Sequence, residues 1–279
     1  MSEMKITASE VKKLRDITGA GMMDCKKALT ESKGDFDKAI EFLRKKGQKV
    51  SAKRADREAK EGVVRAKISD DGSKGVIVKL SSETDFVAKN EDFINLTNKF
   101  ADIALNIFPD TLEDLLAAEF EPGLTVGEKV AEQVGVIGEK IELADYQKLE
   151  APMVVSYIHM GNKAAVLVGL NKKDDSFIEV GRNVAMQAAA MKPIALDKEG
   201  VDSTVIEKEI EIGKEQARNE GKPEEMLERI AMGKLNKFYK ENTLLNQAYV
   251  KDNKIDIRTY VKNADKDLVV TGFRHVKLG

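Results

Sequence analysis

Few residues in this 279-residue chain are of the types that catalysis ordinarily uses. It has one cysteine, Cys25, and two histidines, His159 and His275, far apart in sequence. Neither histidine has a second ligand at metal-binding spacing. A Cys25–His pair would have to be assembled by the fold, and Cys25 lies in a stretch whose spacing is that of structural helix residues. "GVIGEK" (135–140) carries glycines and a lysine but not the G-x-x-x-x-G-K-[ST] spacing or the hydroxyl of a phosphate loop. No G-x-G-x-x-G follows a strand pattern. Carboxylates are abundant, yet they fall on charged helix faces, where solvation accounts for them. The expectation is a protein that is not an enzyme and holds no cofactor and no metal.

One stretch is out of keeping. In "SSETDFVAKNEDF" (81–93) a large aromatic, Phe86, stands between Asp85 and Val87 in a connection that a short polar turn would serve. Such a residue either plugs a core or waits for a partner. The elements around it bear on the choice.

Residues 5–46 read as three short helices. Thr7-Ala-Ser-Glu10 has capping-box spacing, and Val11, Leu14 and Ile17 recur with helical period. "TGAG" (18–21) breaks the helix because glycine permits left-handed turns. A second helix runs from Met22 to Ser32 with Ala28 and Leu29 inward. Asp35 caps a third, with Phe36, Ala39, Ile40 and Leu43 apolar. About 40 residues make a marginal unit, suited to docking. Residues 44–61, "RKKGQKVSAKRADREAKE", are charged and carry no aromatics for base stacking. They read as a solvated linker or exposed helix in preference to an RNA patch.

From residue 62 the period becomes two. "GVVRAKI", the turn "SDDGSKG" and "VIVKL" predict a hairpin with one buried face. The connection containing Phe86 follows, then a helix from Asn90 to Ile107 with Phe93, Leu96, Phe100, Ala104 and Ile107 on one stripe. The pattern recurs. "MVVSYIH", "MGNK" and "AAVLVGL" form a second hairpin, and "FIEVGRNVAMQAAAM" a second helix with Phe177, Val180, Val184, Ala188 and Met191 inward. The second connection is the polar "KKDDS", so Phe86 is not a plug that this architecture requires. Between the repeats, "TLEDLLAAEF" and "TVGEKVAEQVGVIGE" read as helices, the latter broken by Gly135 and Gly138. Residues 203–240 interrupt the second unit as a helical hairpin whose narrow seam can close internally or against a second copy, giving a homodimer. "LVVTGFRHV" reads as a final strand.

Hydrophobic residues make up 42% and charged residues 34%, the balance of a soluble globular chain. Aromatics are only 5% and tryptophan is absent, so the cores are aliphatic. A net charge of −2 draws the chain neither to nucleic acid nor to anionic lipid. No apolar run approaches the ~20 residues that cross a bilayer. "MSEMKITASE" lacks the basic start and apolar stretch of a secretory signal, and the single cysteine fits a reducing cytoplasm.

"ITASEVKKLRDITGAGMMDCKKALTESKGDFDKAIEFLRKKG" closely resembles the N-terminal module of the bacterial elongation factor Ts family, and "TDFVAKNEDF" resembles its Thr-Asp-Phe-Val signature. The likeness continues through "VGVIGEKIEL" and "VSYIHMGNKAAVLV" to "VTGFRHV". The resemblance implies a guanine-nucleotide exchange factor for elongation factor Tu. It implies an α+β fold with a ubiquitin-associated-like three-helix module (1–47) and a charged linker (48–61). Two similar subdomains with antiparallel sheets follow (62–140 and 141–279), the second carrying a coiled-coil insertion at about 203–240. It also implies partner contacts. Asp85 and Phe86 wedge between helices of the GTPase domain of Tu near its Mg²⁺ site, with Thr84 and Val87 on either side also at the partner. Met22, Met23 and Lys26 face the GTPase domain, and Ile137, Gly138 and His159 contact the partner from the core. No direct contact with nucleotide, nucleic acid or membrane is expected. Longer members carry a further C-terminal helical module; with Gly279 last here, affinity is expected to rest on the core and N-terminal module. A chaperone-like scaffold that binds Tu without exchange is the alternative, and an RNA-binding translation protein a third reading.

Overall fold

A computed structural model describes residues 6–159 and 161–279. Part of the predicted docking module, residues 1–5, and Met160 of the "MGNK" turn lie outside the described residues. The N-terminal module contains α1 (Ala8–Thr18), α2 (Met22–Glu31) and α3 (Phe36–Lys53). The capping box at Thr7 and Glu10 is formed, α1 stops at left-handed Gly19, and Asp35 caps α3 through the Lys38 amide. Val11, Leu14, Cys25, Ala28, Leu29, Ala39 and Leu43 make its small core.

The first α+β unit comprises β1 (Glu61–Ile68), β2 (Lys74–Ser82), the short α4 (Asp85–Ala88), α5 (Glu91–Ile107) and α6 (Leu112–Ala117). The small strands β3 (Glu119–Glu121) and β4 (Leu124–Thr125) lead into α7 (Val126–Ile137), and β5 (Glu142–Glu150) completes it. The second contains β6 (Met153–His159), β7 (Ala164–Leu170) and α8 (Ile178–Met191). Then come α9 (Ser203–Asn219), α10 (Glu224–Asn242), β8 (Ala248–Tyr249), β9 (Asp252–Asp256), α11 (Ile257–Ala264) and β10 (Val270–Lys277). The two main sheets are antiparallel, ordered β1-β2-β5 and β10-β7-β6.

Alternation along the strands divides them between layers. Val76, Val78 and Leu80 of β2 face α5 and α7, whereas Ile77 faces the other sheet with Val64, Val154, Ala165 and Leu167. Val166, Val168 and Leu170 of β7 face α8. The sheets therefore pack face to face, with helices covering both outer surfaces. This corrects the expectation of one buried face per hairpin: the central strands are buried on both sides. Phe93, Phe100 and Ala104 of α5, and Val180, Val184 and Ala188 of α8, are buried as their spacing predicts. Ile107 and Met191 are exposed instead, because each stands in the last residue of its helix, followed by a left-handed residue, Phe108 or Lys192. Hairpin α9–α10 closes its seam internally on Gly213, Ala217, Leu227, Ala231 and Leu235.

Three boundaries differ from the sequence reading. β5 pairs with β2, so the first unit extends past residue 140. Its buried residues lack period two: Leu143 and Tyr146 share the helix-covered face three apart because the register shifts between Lys79 and Leu80, and Leu149 is buried on the other face, between the sheets. α3 runs on to Lys53, taking in the first part of the expected linker. Gly135 does not break α7 but lies inside it, and Gly138 is its left-handed cap. A single contact explains the last two. α3 crosses α7 so closely that a Cβ on Gly135 would lie 2.6 Å from the Gly47 Cα, and one on Gly47 would lie 2.8 Å from the Ala131 carbonyl oxygen. Beyond this crossing Val50 packs onto the first unit's core, and that burial sustains the helix.

No helix among the described residues is long and apolar enough to cross a membrane. The Gly47–Gly135 contact gives a test whose sign is decided by packing. On helix propensity alone, Gly135→Ala would stabilise the protein by about 0.5–1 kcal/mol. The crossing leaves no room for the methyl group, so a loss of about 1–3 kcal/mol is expected, read as a lower midpoint in urea unfolding. A raised midpoint would show that the helices are not in this contact.

Candidate functional site

Phe86 is 83% exposed. It sits on α4, four residues that contribute no buried side chain. Asp85 beside it is half-exposed, and its carboxylate accepts a hydrogen bond from the Lys89 Nζ at 2.6 Å, one helical turn on. That bond holds the Asp85 carboxyl below the usual carboxylate range and pushes Lys89 up, with Lys163 adding a smaller pull on Asp85. Val87, in contrast, turns inward and packs with Ala88 against the core of the first unit. One turn of helix thus anchors on Val87 and presents Phe86 to solvent.

What fixes this turn is a pair of carboxylates that sequence reasoning passed over. Glu83, just past the end of β2, accepts a hydrogen bond from the Lys140 backbone N–H at 2.5 Å. Glu139 accepts from the Thr84 backbone N–H at 3.0 Å and from the Thr84 hydroxyl at 2.7 Å. Each loop therefore supplies a carboxylate to the amide that follows the other loop's glutamate. Thr84 is the N-cap of α4, yet its side chain makes no capping bond, being spent on Glu139. Glu83 also receives Arg54 at 2.7 Å and Arg57 at 3.3 Å, from the end of α3 and just beyond. The Lys140 amide first, then Arg54 and Arg57, hold its carboxyl below the ordinary value.

This clasp brings Ile137 and Gly138 to the turn Thr84 to Val87, which carries the expected wedge residues Asp85 and Phe86. Ile137 and Val87 line a groove of about 550 Å³ together with Ile17, Thr18 and Gly19 of the N-terminal module. Residues 17–19 lead directly into α2, whose first turn exposes Met22 (49%) and Met23 (76%), with Lys26 exposed one turn later. Both methionines point outward, so neither serves the helical core. His159, at the end of β6, is half-buried and held at Nδ1 by the Tyr157 hydroxyl at 2.9 Å. Its carbonyl accepts from the Lys163 amide at 3.1 Å, and the Asn162 carbonyl accepts from the Val64 amide at 2.8 Å, which ties this hairpin tip to β1. The short helix α4 packs against the same strand, so the tip and the Phe86 turn are joined through β1.

The other candidates for chemistry are not assembled. Cys25 is buried near the Thr18 hydroxyl, and burial pushes its thiol up, away from the reactive thiolate. Burial lowers the pKa of the His275 imidazole, whose Nε2 is buried with no hydrogen-bond partner among the described residues. Among the described residues no group of three or more His, Cys, Asp or Glu side chains is gathered to hold a metal.

Because the folded-state pKa of Glu83 is lowered, its contribution to stability is present above its unfolded value, about 4.3, and is lost as pH falls through the folded one. Glu83→Gln is expected to cost about 1.5–3 kcal/mol at pH 7, the range for hydrogen bonds to a charged group. The difference from the parent protein should shrink at pH 3.5 in paired urea titrations. An equal difference at both pH values would mean that the carboxylate charge is not what binds these loops.

Comparison with known proteins follows the same residues. Residues 83–279 match the family model described as Elongation factor TS, a match that starts at Glu83. The chain is 59% identical to Elongation factor Ts of Christiangramia forsetii, over 99% of each chain. It is 56% identical to Elongation factor Ts of Flavobacterium psychrophilum, over 98% of this chain and 99% of the relative. Identity to Elongation factor Ts of Amoebophilus asiaticus is 53%, over 99% of this chain and the whole of the relative. With a family model covering residues 83–279, from the turn that carries Phe86 through the whole second unit, and relatives matching along nearly its full length, the chain belongs to the elongation factor Ts family.

Proposed function

We propose that this protein is a guanine-nucleotide exchange factor for elongation factor Tu, the GTPase that delivers aminoacyl-tRNA during translation elongation. Family membership supports the partner. The observation that carries the mechanism is Phe86, an aromatic side chain 83% exposed at the head of a turn anchored on both sides.

Exchange of this kind makes and breaks no covalent bond. It follows from linkage: a factor that binds nucleotide-free Tu more tightly than Tu·GDP lowers GDP affinity by the same ratio. Each tenfold of that ratio requires about 1.4 kcal/mol of contact made only when GDP has left. Burying Phe86 between helices of the GTPase domain supplies about 2 kcal/mol if those helices part only in the nucleotide-free state. Asp85 acts on the electrostatics and water around the partner's Mg²⁺, on which phosphate coordination depends. Its bond to Lys89 is a solvent-exposed ion pair, which yields readily to a new partner. Thr84 and Val87 hold the wedge, Ile137 and Gly138 extend the contact, and Met22, Met23 and Lys26 bind the GTPase domain from the N-terminal module. His159 meets the partner from the second unit.

Phe86→Ala removes an exposed side chain, so stability should change by no more than about 0.5 kcal/mol. GDP release from Tu should slow about tenfold or more, measured by stopped flow with a fluorescent GDP analogue. Wild-type release from a folded Phe86→Ala protein would sink the wedge. Binding by the parent protein with no acceleration at all would favour the scaffold reading instead.

A further inference from the structure

We propose that Glu139, with its reciprocal partner Glu83, is a positioning residue for exchange: the pair locks the wedge loop and the 137–140 loop into one body, so that Phe86 enters the partner as a pre-set prong. The proposal rests on the exchange reading given above.

Three features support it. The bonds are reciprocal, from Glu83 to the Lys140 amide and from Glu139 to the Thr84 amide and hydroxyl, so each loop is fixed against translation by the other. They span 57 and 55 residues of sequence and join the end of β2 to the end of α7, two elements already fixed by the core. Thirdly, α4 has little else to hold it. It is four residues long, has no side-chain cap and buries none of its side chains fully. Without the clasp, Val87 and Ala88 are the only apolar anchors α4 offers the core cluster.

The cost of ordering a loop is charged against binding when it is met at the interface. A clasp formed beforehand in the free protein shifts that cost to folding, and the gain appears where Phe86 inserts. Glu83 extends the same body to the N-terminal module through Arg54 and Arg57. A partner held at Met22, Met23 and Lys26 would thereby be presented to Phe86 in fixed register. Neither glutamate has to touch the partner to do this, so their effect passes through the turn they hold and, for the insertion proposed here, mainly through Phe86.

That last condition makes the test specific. GDP release from Tu at saturating factor is measured for the parent protein, Glu139→Ala, Phe86→Ala and the double variant. Backbone amide exchange of the free proteins is followed by NMR in parallel. Glu139→Ala should slow release about tenfold when Phe86 is present and less than about twofold when it is absent. Its amide exchange should rise from Thr84 through Ala88 and at Lys140. Equal losses in both backgrounds, or faster exchange at Thr84 alone, would overturn the proposal. If Glu139→Ala does not fold, Glu139→Gln, which keeps the volume and one acceptor oxygen, takes its place in the same cycle. A parent protein that fails to accelerate release would defeat the exchange reading, while the amide exchange would still judge the clasp.

Discussion

The contact between Gly47 and Gly135 is the constraint from which the arrangement of the site follows. Two helix backbones meet there without intervening side chains, and such a crossing admits only one depth and a narrow range of angles. It attaches the N-terminal module to the first unit and fixes the directions in which α3 and α7 end. Arg54 then arrives beside Glu83, and Ile137 to Lys140 arrive beside the wedge loop. The groove lined by Ile17, Val87 and Ile137 exists because the module is held at this distance. Side chains larger than hydrogen at either position would separate the elements that the clasp joins.

Behind the site, the apolar layer between the sheets provides a rigid base. Val64, Ile77, Val154, Ala165 and Leu167 are almost fully buried. Such interiors are close-packed and transmit displacement with little compliance. The wedge is therefore a short, weakly self-stabilised turn mounted on a stiff support and tied down by carboxylates. Exposing Phe86 costs the free protein apolar burial. In the exchange reading proposed above, that burial is recovered in the complex with the GTPase, which is the arrangement differential binding requires.

The two units show which features belong to the architecture and which to the function. Both have an antiparallel hairpin followed by a helix that ends on a left-handed residue, Phe108 or Lys192, each donating its amide one turn back to Ala104 or Ala188. They diverge in the connection. The first rises through α4 and exposes Phe86; the second passes through a single tight turn at Asp175–Phe177 and buries its phenylalanine. The same geometry thus accommodates an inward or an outward aromatic, and the outward one is the residue on which the proposed exchange reading rests.

Much of this was legible in the sequence because it rests on local physics. Capping residues at Thr7 and Asp35, the stripes of α5 and α8 and the hairpin turns all depend on neighbours within a few positions, and the oddity of Phe86 came from comparing two adjacent patterns. The motif "TDFVAKNEDF" pointed to the family without any coordinates. Other features depend on residues distant in sequence. Strand β5 hid because a register shift and a change of buried face break its period, and Gly135 read as a breaker because nothing local shows Gly47 pressed against it. Glu83 and Glu139 looked like solvated charges until 55 intervening residues were folded and their carboxylates met each other's backbone amides. Periodicity records which face of an element is apolar; which elements meet, and at what distance, is settled only when all of them compete for the same interior.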